Sequence, residues 1–168
     1  MIYDVSPEEI KAAKWPHEVF LINLIFNHIL MFIAFLSASS LFHMVVLVPI
    51  VSFIILGYTL WRARLSCKRD PWYVMCHWQV AGRRSRLFIV MLLIMVSIST
   101  IGLLGHYYLG WMKELVYALI GGAGLLPTMV TVLVLIIMES DALHMAGNGK
   151  LPEWVVARYP NDAAVLLE

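Results

Sequence analysis

The sequence predicts an all-α integral membrane protein with four transmembrane helices, arranged as two hairpins joined by a basic loop. Composition is the first observation: of 168 residues, 61% are hydrophobic and 14% are charged, whereas an average soluble domain is about 45–50% apolar and ~25% charged. A soluble domain of this size would expose a large apolar patch to water. The second observation is that no Lys, Arg, Asp or Glu occurs from Val19 to Trp61.

The uncharged run from Val19 to Trp61 predicts the first hairpin, because it is about twice the ~20 residues that cross a bilayer once. Its least hydrophobic point, Ser-Ala-Ser-Ser at residues 37–40, predicts the turn. Span one then covers about residues 19–36 and span two about residues 41–61. Pro49 lies inside span two, where we expect a bend or accommodation by a neighbouring helix.

The second hairpin is predicted from two further apolar runs, span three at about residues 87–108 and span four at about residues 115–138. The predicted organisation is an N-terminal segment (1–17), a four-helix transmembrane domain (18–138) that includes a loop at 62–86, and a C-terminal tail (139–168).

The distribution of Lys and Arg predicts the orientation. Two precede span one, seven lie in the 62–86 loop, two follow span four, and Lys113 alone lies in the other connections. By the positive-inside rule, both termini and the loop are cytoplasmic. We expect a multi-pass protein of a bacterial plasma (inner) membrane.

The basic loop also predicts a short helix, with Asp70 as N-cap, Pro71 as first residue and Gly82 as stop. Flanking cations and aromatic residues favour a helix lying in the headgroup layer; a soluble turn is the alternative. The side chains expected to contact lipid headgroups are Arg62, Arg64, Lys68, Arg69, Trp72, Arg83, Arg84 and Arg86.

The C-terminal tail is too small to fold alone. Its acidic start extends span four until Gly147–Gly149 ends the helix. The apolar cluster of Trp154, Val155 and Tyr159 is expected to dock on the protein's own cytoplasmic face or on a partner.

The polar residues predicted within the membrane are few. Asn23 and Asn27 share one face of span one, and we interpret them as interhelical hydrogen-bonding residues that fix helix packing. The alternative is a polar track for an ion or a proton. Cys67, Cys76 and His77 lack the fourth ligand and the close cysteine spacing of a zinc site, so no metal is expected.

Two histidines at matching depth give the sharpest chemical hypothesis. His43 and His106 both fall near the outer ends of their spans, so they could ligate one haem b if spans two and three are neighbours. Gly102 and Gly105 would let a flat macrocycle approach the backbone. A quinone near these histidines is a related alternative.

Span four is predicted to be a helix-packing surface, through Ala118, Gly121, Gly122 and Gly124, because small residues let a partner helix approach closely. Alternatively, the glycines with Pro127 break the helix and expose carbonyl groups to a transported species.

No nucleophile elbow, phosphate-binding loop or zinc-protease motif occurs, so no enzymatic reaction is expected. We expect a small non-catalytic subunit that assembles, among membrane lipid, with other membrane protein subunits in a larger complex, or with copies of itself. No nucleic-acid partner is expected. The alternatives are a redox subunit that binds haem b or quinone through His43 and His106, and an oligomeric channel or transporter component.

Overall fold

The computed structural model describes residues 2–162 and 164–166, without the side chain of Phe42. Within these residues the fold is helical, with four helices long and apolar enough to cross a membrane. The extended chain that is described makes two isolated bridges, Ile2 with Lys150 and Tyr3 with Leu166. The predicted fold class is confirmed to this extent: the described residues are helical, and four helices are long and apolar enough to span a membrane.

Helix α1 runs from Pro7 to Ser37. It begins with a capping box, in which the Ser6 hydroxyl accepts from the Glu9 amide at 3.2 Å and the Glu9 carboxylate accepts from the Ser6 amide at 3.0 Å. Its middle part, Asn23–Met31, is π-helical. Helix α1 ends where Ala38 becomes extended.

Helix α2 runs from Leu47 to Arg69 and follows a 3-10 segment, Ser39–Val46. Pro49 is the third residue of α2. The 3-10 segment continues directly into α2, with the Leu47 amide bonded to the Met44 and Val45 carbonyl oxygens, so Pro49 lies at the junction of the two helical forms.

Helix α3 is the longest, Trp72–Leu109, with 38 residues. At 1.5 Å per residue it is about 57 Å long, whereas the hydrocarbon core is about 30 Å thick. The predicted stop at Gly82 is wrong, because the helix continues through it. The expected separate interfacial helix is instead the first part of α3, and it packs into the bundle.

Helix α4 runs from Lys113 to Gly147, with a π-helical stretch at Leu119–Leu125. This stretch ends just before Pro127, which cannot donate a backbone hydrogen bond. A short helix, α5, follows at Glu153–Arg158.

The four long helices form a bundle in which α1 and α3 each contact all three others, while α2 and α4 lie on either side. Large apolar side chains face outward along the spans, for example Ile54, which is 67% exposed, and Ile137, which is 72% exposed. Lipid is the solvent that suits such a surface. The buried core at this level draws on all four helices: Phe20, Leu24, Leu56, Phe88, Leu92, Val132 and Leu135.

The helices extend beyond the apolar belt at one end, which we call the basic end: residues 7–18 of α1, 62–69 of α2, 72–86 of α3 and 139–147 of α4. This end has a core of its own. It contains Ala13, Ala63, Tyr73, Val74, Trp78 and Ala146.

Residues 148–159, which we call the C-terminal cap, pack on the basic end. Val155 is fully buried against Cys76, Val80 and Ala142. Gly149 has φ 65°, and a Cβ there would lie 2.8 Å from the Tyr3 carbonyl oxygen, so only glycine fits this turn. The tail therefore docks on the protein's own helices.

Gly82 generates a stability prediction, because a Cβ at this position would lie 3.1 Å from the Ala63 Cβ across the α2–α3 contact. Gly82→Leu should lower the free energy of unfolding in detergent by about 1–3 kcal/mol through overpacking. Gly57→Leu is the matched control, since a Cβ at Gly57 has no neighbouring atom within 4 Å. Equal stability of the two variants would contradict the close contact.

Candidate functional site

Four side chains form a continuous hydrogen-bonded chain inside the basic end. His77 Nδ1 lies 2.9 Å from His17 Nε2, and His17 Nδ1 lies 2.6 Å from Glu139 Oε2. Arg84 Nη1 donates to Glu139 Oε1 at 3.1 Å. His17, His77 and Glu139 are fully buried. We call these four residues the buried chain.

Three residues of the buried chain occupy equivalent places in their helices. His17 precedes the apolar run of α1, Arg84 precedes that of α3, and Glu139 follows that of α4. Because α1 and α3 run in one direction and α4 runs in the other, these places lie at one level of the bundle. His77 lies two turns before Arg84 and extends the buried chain toward the C-terminal cap.

The hydrogen-bond geometry fixes the tautomers when Glu139 is ionised and both rings are neutral. His17 then donates its single N–H, on Nδ1, to the carboxylate, so its Nε2 accepts a hydrogen bond. His77 must supply that hydrogen from Nδ1, which leaves His77 Nε2 without a hydrogen. In the described residues this nitrogen makes no hydrogen bond of good geometry.

The charge of the buried chain is balanced. Glu139 has no exposed surface, and the Arg84 side chain is 13% exposed, so the carboxylate and the guanidinium compensate each other in a poorly solvated place. Arg84 Nη1 also donates to the Met138 carbonyl oxygen at 2.9 Å. The arrangement joins α1, α3 and α4.

Two open clefts lie at the basic end, of about 700 Å³ and about 510 Å³, and neither is lined by His17, His77 or Glu139. Among the described residues, no group of three or more His, Cys, Asp or Glu side chains is arranged to hold a metal ion. Glu139 and His17 use their side-chain nitrogen and oxygen atoms within the buried chain, whereas His77 Nε2 has no hydrogen-bond partner of good geometry among the described residues.

Within the membrane-level core, Asn23 and Asn27 link α1 to α2. Asn23 Nδ2 donates to Ser52 Oγ at 2.9 Å, and Asn27 Nδ2 donates to the Val48 carbonyl oxygen at 2.9 Å and to Asn23 Oδ1 at 3.1 Å. Bonds of this kind contribute about 0.6 kcal/mol each in membrane proteins. These hydrogen bonds join α1 to α2, which is the arrangement that the helix-packing interpretation of Asn23 and Asn27 expects.

The two histidines of the haem hypothesis are not brought together by any hydrogen bond or ring contact in the described residues. His43 is exposed in the 3-10 segment. His106 Nδ1 lies 2.7 Å from the Trp111 carbonyl oxygen. A Cβ at Gly105 would collide with the Trp111 ring, so this ring fills the space that the macrocycle would need.

Gly102 and Gly124 are both used for packing between α3 and α4. A Cβ at Gly102 would touch the Val116 side chain at 3.4 Å, and a Cβ at Gly124 would touch Met95 at 3.7 Å. At Gly121 and Gly122, by contrast, an added Cβ has no neighbouring atom within 4 Å.

Ala118 and Gly122 are exposed, and Gly121 is partly exposed. These three residues form an open face of α4, which we call the small-residue face. The helix continues through it as a π-helix, so the chain break that the transport interpretation requires is not present there.

The residues expected at lipid headgroups divide into two groups. Arg62 forms a two-point ion pair with Asp70 and lies over the Trp78 ring. Arg84 belongs to the buried chain, Arg83 lies over the Trp154 ring, and Trp72 Nε1 donates to the Tyr159 carbonyl oxygen. The second group is exposed and forms no ion pair or cation–π contact with the described residues: Arg64, Lys68, Arg69 and Arg86.

The sequence analysis missed His17 and Glu139 as site residues and considered His77 only as a metal ligand. A usable signal was present. The sequence analysis compared the membrane depths of polar residues only for the histidines at the outer ends of the spans. The same comparison at the basic end would have placed His17, Arg84 and Glu139 at one level.

Comparison with known proteins gives no relative: no family model matches the chain, and neither a curated protein nor a solved structure shows significant similarity to it.

The buried chain predicts a large effect of Glu139→Ala. Removing the carboxylate leaves the Arg84 guanidinium and the His17 ring without their partner, and breaking a buried ion pair costs about 3–5 kcal/mol. Denaturant unfolding in detergent measures this loss. Asp141→Ala is the control, because Asp141 is exposed two residues away on the same helix. If Glu139→Ala lowers the free energy of unfolding no more than Asp141→Ala does, Glu139 does not stabilise the fold through these partners.

Proposed function

We propose that the protein is a small, non-catalytic, multi-pass subunit of a larger assembly in a bacterial inner membrane, with both termini cytoplasmic. The small-residue face of α4, made of Ala118, Gly121 and Gly122, would bind a transmembrane helix of a partner protein. The observation that carries the proposal is that this face is left unfilled by the chain itself.

A glycine inside a helix costs roughly 0.5–1 kcal/mol relative to alanine. For Gly82, Gly102, Gly105 and Gly124 the structure contains a close neighbour that explains the missing side chain. Gly121 and Gly122 have none. A helix from another chain, approaching closely through van der Waals contact, would supply the missing neighbour.

The non-catalytic part of the proposal is supported by the use of the buried polar groups. Apart from His77 Nε2, the side-chain nitrogen and oxygen atoms of His17, His77 and Glu139 bond within the buried chain, and Asn23, Asn27 and Ser52 bond one another. Neither of the two open clefts is lined by a residue of the buried chain. These groups therefore serve to hold helices together.

The orientation generates a labelling prediction. Cys67 is exposed and Cys76 is buried, so a membrane-impermeant maleimide should modify Cys67 only after the cell membrane is opened. In a Cys67→Ser background, Lys113→Cys, at an exposed position in the opposite connection, should react in intact cells. Reaction of Cys67 in intact cells would reverse the proposed topology.

The small-residue face generates an assembly prediction. Gly122→Leu should remove the protein from its larger particle, because a bulky side chain keeps the partner backbone away. Gly57→Leu is the matched control: Gly57 also has no neighbour within 4 Å, but the exposed Ile54 and Trp61 already occupy the adjacent turns of its face.

The measurement is particle size and subunit composition after mild detergent extraction from the native membrane. A larger particle containing a second membrane protein, lost in Gly122→Leu and kept in Gly57→Leu, supports the proposal. A larger particle that contains only this protein would show that the partner helix comes from a second copy of the chain. A monomer in all three samples, or equal loss in both variants, would overturn the proposal.

A further inference from the structure

The far nitrogen of His77 is the one place where the buried chain can accept another proton. When Glu139 is ionised and both rings are neutral, the hydrogen bonds from His77 Nδ1 to His17 Nε2 and from His17 Nδ1 to Glu139 already contain their hydrogens. His77 Nε2 is buried and makes no hydrogen bond of good geometry in the described residues. It is therefore a free basic site at the end of a hydrogen-bonded chain.

The C-terminal cap covers this site. Tyr73 lies one turn before His77 on α3, and the two rings are 4.9 Å apart. The Tyr73 hydroxyl lies 3.4 Å from the Lys150 carbonyl oxygen of the cap. Burial and the neighbouring His17 lower the pKa of His77 to about 3, and they outweigh a hydrogen-bond contribution from the Lys150 backbone that raises it. His77 has no exposed surface, and the turn at residues 148–150 is the segment that we expect to move when water reaches it.

A proton on His77 is poorly compensated while the cap is closed. Glu139 is the carboxylate of the buried chain, and Arg84 already neutralises it. A further proton would leave a net positive charge in a place with no exposed surface, and burying an unpaired charge is costly.

Among the described residues, no carboxylate forms a hydrogen bond or an ion pair with His77, whose side-chain hydrogen bond is to His17. Glu9, on α1, acts electrostatically on the neighbouring Tyr73, but its carboxylate accepts from Ser6 in the capping box. Arg62, on α2, is ion-paired with Asp70, and Glu153 and Arg158 of the cap are exposed. The other titratable groups at this site are His17 and Lys14 on α1, Tyr73, Cys76 and Arg84 on α3, Glu139 and His144 on α4, and Lys150 in the cap.

We propose that His77 is a proton-binding site that couples the C-terminal cap to the bundle, so that proton uptake at His77 releases the cap. The open form hydrates the imidazolium and binds the proton at the ordinary affinity of histidine. The closed form does not bind this proton. The coupling is independent of the proposed assembly function.

The direction of the pH dependence follows from the number of protons that the open and closed forms bind. The open form binds more protons than the closed form, so acidification favours opening. The closed cap keeps its full stability above about pH 6.5, the ordinary range of histidine, and loses it as pH falls below that value. For one proton, the open fraction should rise about tenfold between pH 7.5 and pH 5.5.

The test is hydrogen exchange of the full-length protein in detergent, followed by mass spectrometry and corrected for the intrinsic pH dependence of exchange. The reporters are amides that the closed cap protects, such as Lys150 N–H, bonded to the Met145 carbonyl oxygen at 3.0 Å, and Tyr3 N–H, bonded to the Gly149 carbonyl oxygen at 2.9 Å. Their corrected exchange should accelerate about tenfold over this pH range.

His77→Gln should abolish this acceleration. His144→Gln should keep it. His144 is exposed and its Nε2 lies 3.1 Å from Asn148 Nδ2 of the cap, so this variant separates His77 from the other histidine that contacts the cap. Tyr73→Phe removes the contact of the Tyr73 hydroxyl with the Lys150 carbonyl oxygen of the cap, 3.4 Å away, without removing the proton site. It should raise exchange at every pH and keep the tenfold response, so the proposal stays testable if His77→Gln fails to fold.

A pH-independent corrected exchange in the wild type would overturn the proposal. So would an unchanged response in His77→Gln, or loss of the response in His144→Gln.

Discussion

The contact on which the basic end depends is the pair of hydrogen bonds that Glu139 accepts from His17 and Arg84. Through it one residue of α4 binds both central helices, α1 and α3. A carboxylate with no exposed surface is unstable without such partners. The helices therefore cannot slide or rotate independently at this level, because any shift would leave a charge unpaired. Apolar packing alone tolerates such shifts far better, since it lacks direction.

Hydropathy was sufficient to predict the four spans, because lipid requires long uninterrupted apolar helices and the sequence contains four of them. Hydropathy failed to predict the structure of the charged segments that flank the spans. The 62–86 region was divided at Gly82 on the assumption that glycine ends a helix, but Gly82 is a contact point with Ala63. Helix α3 continues because its basic segment has helices to pack against, and tertiary packing overrides local stop signals.

The buried chain was hard to predict for a different reason. His17 and Glu139 are 122 residues apart in sequence, and His17 and His77 are 60 apart. Each looks by itself like an ordinary polar residue at the end of a span. Only the register of antiparallel helices brings them together, and that register is a property of the whole bundle. The roles of Asn23 and Asn27 were easier to predict, because their four-residue spacing places them on one helix face.

The buried chain also determines what the distant part of α4 presents to lipid. Thr128, Val132, Leu135, Glu139, Ala142 and Ala146 form the inward stripe of this helix, with the three- and four-residue spacing of one face. Gly124 lies one turn before Thr128, continues the stripe and packs on α3. Gly122 lies two positions away and faces outward. Because Glu139 cannot leave its partners, the rotation of α4 is fixed at the basic end, and the small-residue face is held toward the membrane about five turns away.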